Sequence, residues 1–161
     1  MRILLADDHE LVRDTIVAFL EREPDFELVA CDDLPSALAR VAEGFDLVLL
    51  DFAMPGMDGL AGFERMKAAA GGVPVALMSG TASREVAQEA LDRGAAGFLP
   101  KTMGARTFVN AIRFMAAGEV FAPVKFMTAA PEEAAHPLAQ QLTERELQVL
   151  EGLCRGLSNK E

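Results

Sequence analysis

Residues 47–59 read LVLLDFAMPGMDG, an aliphatic run followed at once by an acidic, glycine-containing turn. From Leu47 to Leu50 every side chain is apolar, so both faces of the strand that it forms must be buried. Strands of this kind belong to parallel sheets that helices cover on both sides. The stretch therefore predicts a buried strand of an α/β protein, with Asp51 at its carboxyl end.

The same pattern recurs along the chain. Short apolar runs predict five strands, which are Ile3 to Ala6, Phe26 to Cys31, Leu47 to Leu50, Val73 to Met78 and Ala96 to Leu99. Longer segments of helical period separate these runs, and the alternation predicts a doubly wound parallel sheet with helices on both faces. Because most of the other strands are too apolar to be half exposed, we expect Phe26 to Cys31 to lie at an edge.

Apolar residues at helical spacing predict five helices between and after the strands. Their core positions are Val12, Ile16, Phe19 and Leu20; Leu38 and Val41; Leu60, Phe63 and Met66; Val86, Ala90 and Leu91; and Phe108, Val109, Ile112 and Met115. We expect the second helix to start near Pro35 and stop at Gly44, and Asp58 to cap the third. The fourth should end at Gly94 and the fifth before Gly118, where the folded unit closes.

Composition narrows the class of protein. A length of 161 residues with 51% hydrophobic residues predicts one main folded domain and a short remnant. The net charge of −10 argues against a surface that binds nucleic-acid phosphate backbones non-specifically.

Cys31 and Cys154 lie in apolar stretches, as is typical of buried thiols in a reducing cytoplasm. Because no aliphatic run is long enough for a signal or spanning helix, we expect neither export nor membrane insertion.

Polar residues follow the predicted strands. Asp7 and Asp8 follow the first strand, Asp51 the third, Ser79 the fourth and Lys101 the fifth. Ligands of doubly wound sheets bind beyond this edge, so we expect these side chains to share one crevice. Each residue alone would be an ordinary helix cap or surface residue, but their coincidence at four strand ends favours a site.

Three carboxylates in one crevice would repel one another, and a hard divalent cation with oxygen ligands would relieve that repulsion. Mg²⁺ is the usual choice beside phosphate, so we predict a magnesium site. An aspartate can attack phosphorus to give an acyl phosphate, while the cation and a lysine ammonium neutralise the charge on the transferring group. Asp51 is the expected nucleophile.

The motifs at these strand ends are ADDH (residues 6–9), DFAMPGMDG (51–59), MSG (78–80) and GFLPK (97–101). In combination they resemble the receiver domains of two-component response regulators, over residues 1–118. The resemblance implies a flavodoxin-like sheet with strand order 2-1-3-4-5. It also implies that Asp51 accepts a phosphoryl group from a sensor histidine kinase, and that the protein is not an enzyme for an outside substrate.

By this resemblance Asp8, Asp51 and the backbone carbonyl of Ala53 would bind Mg²⁺ directly, whereas Asp7 would act through water. His9 stands where receivers commonly carry a residue of no catalytic role, and we assign it none.

The resemblance also implies a phosphate-sensing switch. Ser79 and Lys101 would contact the phosphoryl oxygens. Ser79 would move toward the new phosphate, and Phe98 would turn inward into the released space. A change of charge would thus become a change of packing.

The remainder of the chain has a different composition. Residues 119–141 are rich in Ala, Pro and Glu, which is typical of an interdomain linker. Residues 142–161 start with LTEREL, in which Thr143 and Glu146 allow a capping box, and they resemble the start of a NarL/FixJ (LuxR-type) helix-turn-helix output domain. The recognition helix would lie beyond Glu161. The resemblance therefore implies a homodimer that binds DNA as the full-length protein, with no DNA binding by this chain alone.

Three other functions fit parts of the pattern. A phosphatase of the haloacid dehalogenase type would need a second Asp two residues after the nucleophile, where Ala53 stands. A flavin-binding module would need a Ser/Thr/Gly-rich loop after the first strand, where residues 7–10 read DDHE. A receiver fold that serves as a constitutive scaffold would not need its complete set of site residues.

Overall fold

The structure is a computed structural model that describes residues 1–123 together with Met127. Its strands are β1 (Arg2–Ala6), β2 (Glu27–Cys31), β3 (Leu47–Asp51), β4 (Val75–Ser79) and β5 (Gly97–Pro100). They form one parallel sheet in the order β2-β1-β3-β4-β5. The doubly wound, flavodoxin-like α/β fold expected from the sequence is confirmed.

All five predicted helices are present. They are α1 (Glu10–Leu20), α2 (Leu34–Arg40), α3 (Leu60–Ala70), α4 (Arg84–Asp92) and α5 (Ala105–Ala116). A short 3-10 turn, Val41–Glu43, continues α2 as far as Gly44. Gly44 has a φ of 92°, a conformation that side chains other than glycine rarely adopt, so the helical segment ends at the expected residue.

The core lies on both faces of the sheet. Every residue of the inner strands β3 and β4 is buried, whereas β2 is partly exposed, as expected of an edge. On one face, Ile3 and Leu49 pack in a cluster with Leu20 of α1 and Ile112 of α5. Alternate residues such as Leu50 point to the opposite face. Each fully buried aliphatic side chain contributes roughly 1.5–3 kcal/mol, so these strands are rigid supports for whatever follows them.

The start of β4 differs from the prediction. The strand begins at Val75 and not at Val73, because the Val73 N–H donates to the Ala70 carbonyl at 3.3 Å and so closes the end of α3. Pro74 then offers only its carbonyl, which accepts from the Val48 N–H at 2.9 Å. The apolar residues from Val73 to Met78 gave no signal of this turn, so the strand was predicted to start too early.

The prediction that Asp58 caps α3 was wrong. The N-cap of α3 is Gly59, and no side chain accepts a hydrogen bond there. Asp58 has a φ of 48°, in the left-handed region, whereas a capping residue needs an extended backbone. Side-chain caps occur instead on α2, from Asp33, and on α4, from Ser83.

After α5 the chain returns to the outer edge of β5. The Phe121 N–H donates to the Ala96 carbonyl at 2.9 Å, and the Phe98 N–H donates to the Phe121 carbonyl at 3.1 Å. These bonds form an isolated parallel bridge between Phe121 and Gly97. The bridge covers an edge that would otherwise expose unpaired backbone groups, and the compact unit runs from Met1–Pro123.

Some predictions lie outside the described residues. These are the linker beyond residue 123, the helix-turn-helix segment at 142–161 and the burial of Cys154. Cys31 is a buried free thiol. In the part of the chain that the structure describes, the longest helix has 12 residues, and none has the length and apolarity to cross a bilayer.

Gly62 allows α3 to approach the turn that follows β3. Its N–H donates to the Met57 carbonyl at 2.6 Å, and a Cβ at this position would lie 2.5 Å from the Met57 Cα. The neighbouring atoms belong to backbone, so they cannot rotate away as a flexible side chain would. Space, and not backbone conformation, therefore requires glycine here.

Gly62→Ala should lower the free energy of unfolding by about 1–3 kcal/mol, because the new methyl group must displace the Met57 backbone. In an unobstructed helix the same change would instead stabilise by about 1 kcal/mol. Gly104→Ala is a control for substitution where space is free, since the Cβ would meet nothing within 4 Å; Gly104 is the N-cap of α5, and loss of a glycine cap should cost less than about 1 kcal/mol. Urea unfolding followed by circular dichroism measures both variants. Stabilisation by Gly62→Ala would contradict the close approach.

Candidate functional site

The carboxyl ends of the strands place several polar side chains at one edge of the sheet. Asp7 directly follows β1, Asp51 ends β3 and Ser79 ends β4, and their exposed fractions are only 0%, 1% and 3%. Among residues 1–123 these three are the buried polar or charged residues. Lys101 follows β5, and its backbone N–H donates to the Ser79 carbonyl at 2.9 Å. Buried groups of this kind need partners, because water cannot reach them.

Lys101 is the charged partner of both buried carboxylates. Its Nζ lies 2.8 Å from Asp7 Oδ2 and 3.2 Å from Asp51 Oδ2. The lysine side chain is itself only 15% exposed, so water screens these contacts weakly. One ammonium group therefore faces two carboxylates, so the three ionised groups together carry a net negative charge.

His9 also contacts the carboxylate cluster. Its Nδ1 lies 3.2 Å from Asp7 Oδ1, 3.2 Å from Asp8 Oδ1 and 3.5 Å from Asp51 Oδ2. Its backbone N–H also donates to Asp7 Oδ1 at 2.8 Å. Sequence reasoning gave His9 no role, although its position beside the acidic pair was a signal. The structure makes it a member of the cluster.

Burial and charge act differently on the two buried carboxyl groups. Burial alone would raise the pKa of Asp7, but the hydrogen bond and charge of Lys101, with hydrogen bonds from His9, lower that pKa below its ordinary value. Burial also raises the pKa of Asp51. The charge of Lys101 lowers this pKa and the negative charge of Asp7 raises it, and the net result is a pKa above the ordinary value. Of these two carboxylates, Asp51 is therefore the one whose negative charge its surroundings stabilise less.

The donor set of this cluster suits a divalent cation. Ligand atoms of Asp7, Asp8, His9 and Asp51 lie within 4.8 Å of one another. The Oδ2 atoms of Asp7 and Asp51 are fully buried, and both face the same ammonium group, with Lys101 Nζ 2.8 and 3.2 Å away. A hard cation such as Mg²⁺ would satisfy these oxygens and offset their mutual repulsion.

Three further residues were predicted to belong to the site, of which Ala53 follows β3, Ser79 ends β4 and Phe98 lies within β5. The Ala53 N–H is 3.4 Å from Asp51 Oδ1. The Ser79 hydroxyl accepts hydrogen bonds of 3.1 and 2.8 Å from the backbone N–H groups of residues 81–82, so the loop after β4 engages it. Phe98 is 1% exposed and lies inside the protein. The metal-binding carbonyl of Ala53 and the movements of Ser79 and Phe98 stay predictions.

Comparison with known proteins places this geometry in a family. A profile of the response regulator receiver domain matches residues 3–113. The glycerol metabolism activator of Pseudomonas putida is 34% identical over an alignment that covers 99% of this chain and 78% of that protein. The transcriptional regulatory protein LiaR of Bacillus subtilis is 31% identical, with 100% and 80% covered. A solved LuxR family DNA-binding response regulator from Silicibacter pomeroyi has 30% identity and a TM-score of 0.69, with 78% and 99% covered.

The chain therefore belongs to the response regulator receiver family of two-component systems. Within that family its homologues are LuxR-family regulators. A further LuxR-family structure, from Aurantimonas sp. SI85-9A1, is 26% identical with a TM-score of 0.68 and covers 88% of this chain and 97% of its own. The resemblance of residues 142–161 to a LuxR-type output domain is consistent with this kinship.

Asp51→Asn should stabilise the metal-free protein by about 1–2 kcal/mol, because it removes a buried negative charge while Lys101 stays paired with Asp7. Asp14→Asn is the control, since it makes the same change of charge at a side chain that is 67% exposed. The control should change stability by less than about 0.5 kcal/mol. Thermal unfolding in the presence of a chelator measures both.

This stabilisation should depend on pH. The folded protein binds the Asp51 proton more tightly than the unfolded chain does, because the pKa of Asp51 is raised. The favourable contribution of the protonated form is therefore lost as the pH rises through that raised pKa. Asparagine does not titrate, so the difference between variant and wild type should be largest near neutrality and shrink on acidification. A difference that grows on acidification would contradict a raised pKa.

Proposed function

We propose that this chain is a phosphoryl acceptor, with Asp51 as the accepting residue and a sensor histidine kinase as the donor. The observation that carries the proposal is the setting of Asp51. Its carboxylate is almost fully buried at the end of a central strand, 3.2 Å from Lys101 Nζ and in one cluster with Asp7 and Asp8. A carboxylate beside an ammonium group is suited to attack an anionic phosphoryl group, because the ammonium group offsets the negative charge of the incoming oxygens.

The transfer uses the chain's own charges. An oxygen of Asp51 attacks the phosphorus of the donor phosphohistidine, and the bond from phosphorus to the donor nitrogen breaks as the new O–P bond forms. Lys101 neutralises the charge on the equatorial oxygens of the transferring group. No other co-reactant is needed, since the phosphoryl group simply changes acceptor.

Asp8, Asp51 and the carbonyl of Ala53 would hold Mg²⁺ directly, and Asp7 would act through a water molecule. When bound, Mg²⁺ supplies positive charge to the phosphoryl oxygens. An indirect role for Asp7 is supported by its contacts, since its Oδ1 accepts the His9 N–H and its Oδ2 meets Lys101.

The proposed switch uses Ser79 and Phe98. To reach a phosphoryl oxygen, the Ser79 hydroxyl must leave its two backbone hydrogen bonds in the loop after β4. Phe98 would then take up the released space. The Phe98 N–H donates a hydrogen bond to the Phe121 carbonyl. A shift of β5 would therefore move Phe121, which lies near the start of the predicted interdomain linker.

The output of the switch is regulation of transcription by a LuxR-type domain that binds DNA in the full-length protein, with a homodimer as the active form. Support comes from the Silicibacter pomeroyi relative, a DNA-binding regulator, and from LiaR, a transcriptional regulatory protein. The chain catalyses only its own phosphorylation and dephosphorylation, in the cytoplasm, and acts on no outside substrate.

Incubation with acetyl phosphate and Mg²⁺ should add one phosphoryl group to the wild-type protein, as measured by intact mass. Asp51→Asn should take up none, and Lys101→Ala should be slower by about 100-fold, since it removes the charge that stabilises the transition state. Asp14→Asn is the matched control and should label like wild type. Unlabelled wild type would instead favour a constitutive scaffold, and turnover of many phosphate esters would favour a phosphatase.

A further inference from the structure

Arg13 connects the first helix to the backbone beneath the carboxylate cluster. It lies on α1, and its Nη1 donates to the carbonyl oxygen of Asp7 at 2.9 Å. The arginine side chain is 17% exposed, so the guanidinium is largely inside the protein. Its contact with Asp14 is weaker, because the separation is 3.9 Å and that carboxylate is 67% exposed to water. The hydrogen bond to Asp7 is therefore the contact that holds the guanidinium.

This is an unfavourable place for an arginine that serves stability alone. A largely buried guanidinium has lost much of its hydration, and one hydrogen bond to a neutral carbonyl engages only one of its N–H donors. The helix α1 begins at Glu10, so the positive charge also lies near the helix end where the dipole disfavours cations. A role in the neighbouring site accounts for an arginine that its local surroundings disfavour.

The carbonyl that Arg13 holds belongs to the peptide bond between Asp7 and Asp8. Because that peptide is planar, the direction of its C=O bond fixes where the nitrogen and the Cα of Asp8 lie. The other backbone group of residue 7 is held as well, since the Asp7 N–H donates to the Cys31 carbonyl at 3.1 Å. Arg13 thus determines the point from which the Asp8 side chain starts.

The carboxylate of Asp8 depends on the backbone for its position. It lies 3.2 Å from the His9 ring, but the Asp8 and His9 side chains are 31% and 58% exposed, so water competes for this contact. The carboxylate of Asp7 is held more firmly, because the His9 N–H donates to its Oδ1 and Lys101 Nζ lies 2.8 Å from its Oδ2. A tilt of the peptide between them would therefore displace the Asp8 carboxylate more than that of Asp7.

We infer that Arg13 is a positioning residue for phosphoryl transfer, which orients the Asp7–Asp8 peptide and so presents the Asp8 carboxylate to the cation. The inference rests on the proposed function, in which Asp8 binds Mg²⁺. Arg13 touches neither the cation nor the phosphoryl group and acts only through the backbone. Groups that orient a metal ligand typically contribute about 10–100-fold to metal affinity.

Two other roles for Arg13 predict different effects on Mg²⁺ binding. If the guanidinium acted only through its charge, its removal would leave the carboxylates less compensated and would strengthen cation binding. If Arg13 only tied α1 to β1, its removal would lower the stability of the fold and leave the affinity of the folded protein unchanged. Positioning is the role for which removal weakens binding.

The test measures Mg²⁺ binding to wild type, Arg13→Met and Arg13→Lys by titration calorimetry. Arg13→Met should bind Mg²⁺ about tenfold or more weakly, because the peptide has lost its donor. Arg13→Lys should recover at least part of this loss, since an ammonium group can donate to the same carbonyl. Arg22→Met removes the same charge from an exposed side chain just beyond the opposite end of α1, and it should bind like wild type.

Unchanged or tighter binding by Arg13→Met would overturn the inference, and so would equal weakening in Arg13→Met and Arg13→Lys. Circular dichroism verifies that each variant is folded at the temperature of the titration. If Arg13→Met does not fold, Arg13→Gln takes its place, because it also removes the charge and is too short to reach the Asp7 carbonyl in the same way.

A kinetic measurement separates this inference from the proposed function. The rate of labelling by acetyl phosphate is measured over a range of Mg²⁺ concentrations. Arg13→Met should need about tenfold more Mg²⁺ for its half-maximal rate and should come within about threefold of the wild-type rate at saturation. A wild-type protein that binds no Mg²⁺ or takes up no phosphoryl group would remove the proposed function itself. If wild type does both and Arg13→Met matches it at every Mg²⁺ concentration, only the role of Arg13 fails.

Discussion

Two buried carboxylates, those of Asp7 and Asp51, face the single ammonium group of Lys101 in a region that water barely reaches. The Coulomb interaction is strong there, so one positive charge holds the pair together but cannot neutralise it. Asp8 adds a third carboxylate at the solvent side. The excess negative charge is a cost to the folded protein. It is also the property that would attract a cation and prepare Asp51 for phosphoryl transfer.

The sheet is what forces these groups into proximity. Asp7 follows β1 and Asp51 ends β3, and these two strands are adjacent in the sheet. Lys101 follows β5, which is separated from β3 by β4. A long lysine side chain spans that gap and reaches both carboxylates from one position. Because β3 and β4 are buried along their whole length, their ends cannot move apart without exposing apolar surface. Burial of apolar side chains in the core thus offsets the unfavourable charge repulsion at the strand ends.

Two backbone contacts connect this site to the rest of the molecule. On one side, the close approach of Gly62 to Met57 sets the turn that leads away from Asp51. On the other, Phe121 is hydrogen-bonded to Ala96 and Phe98 on either side of Gly97. Backbone hydrogen bonds have well-defined geometry, so a shift of β5 cannot leave the segment after α5 unchanged.

Five strands, five helices and the placement of Asp7, Asp51 and Lys101 at strand ends could be predicted from the residues alone, because alternation of apolar runs and location at a strand end are local properties of the chain. Three features emerged only from the packed molecule: His9 joins the carboxylates, Phe121 pairs beside β5, and Asp58 has a left-handed backbone and does not cap α3. A ring direction, an edge contact and a backbone dihedral depend on which groups packing brings within a few ångströms, and residue spacing does not encode those distances.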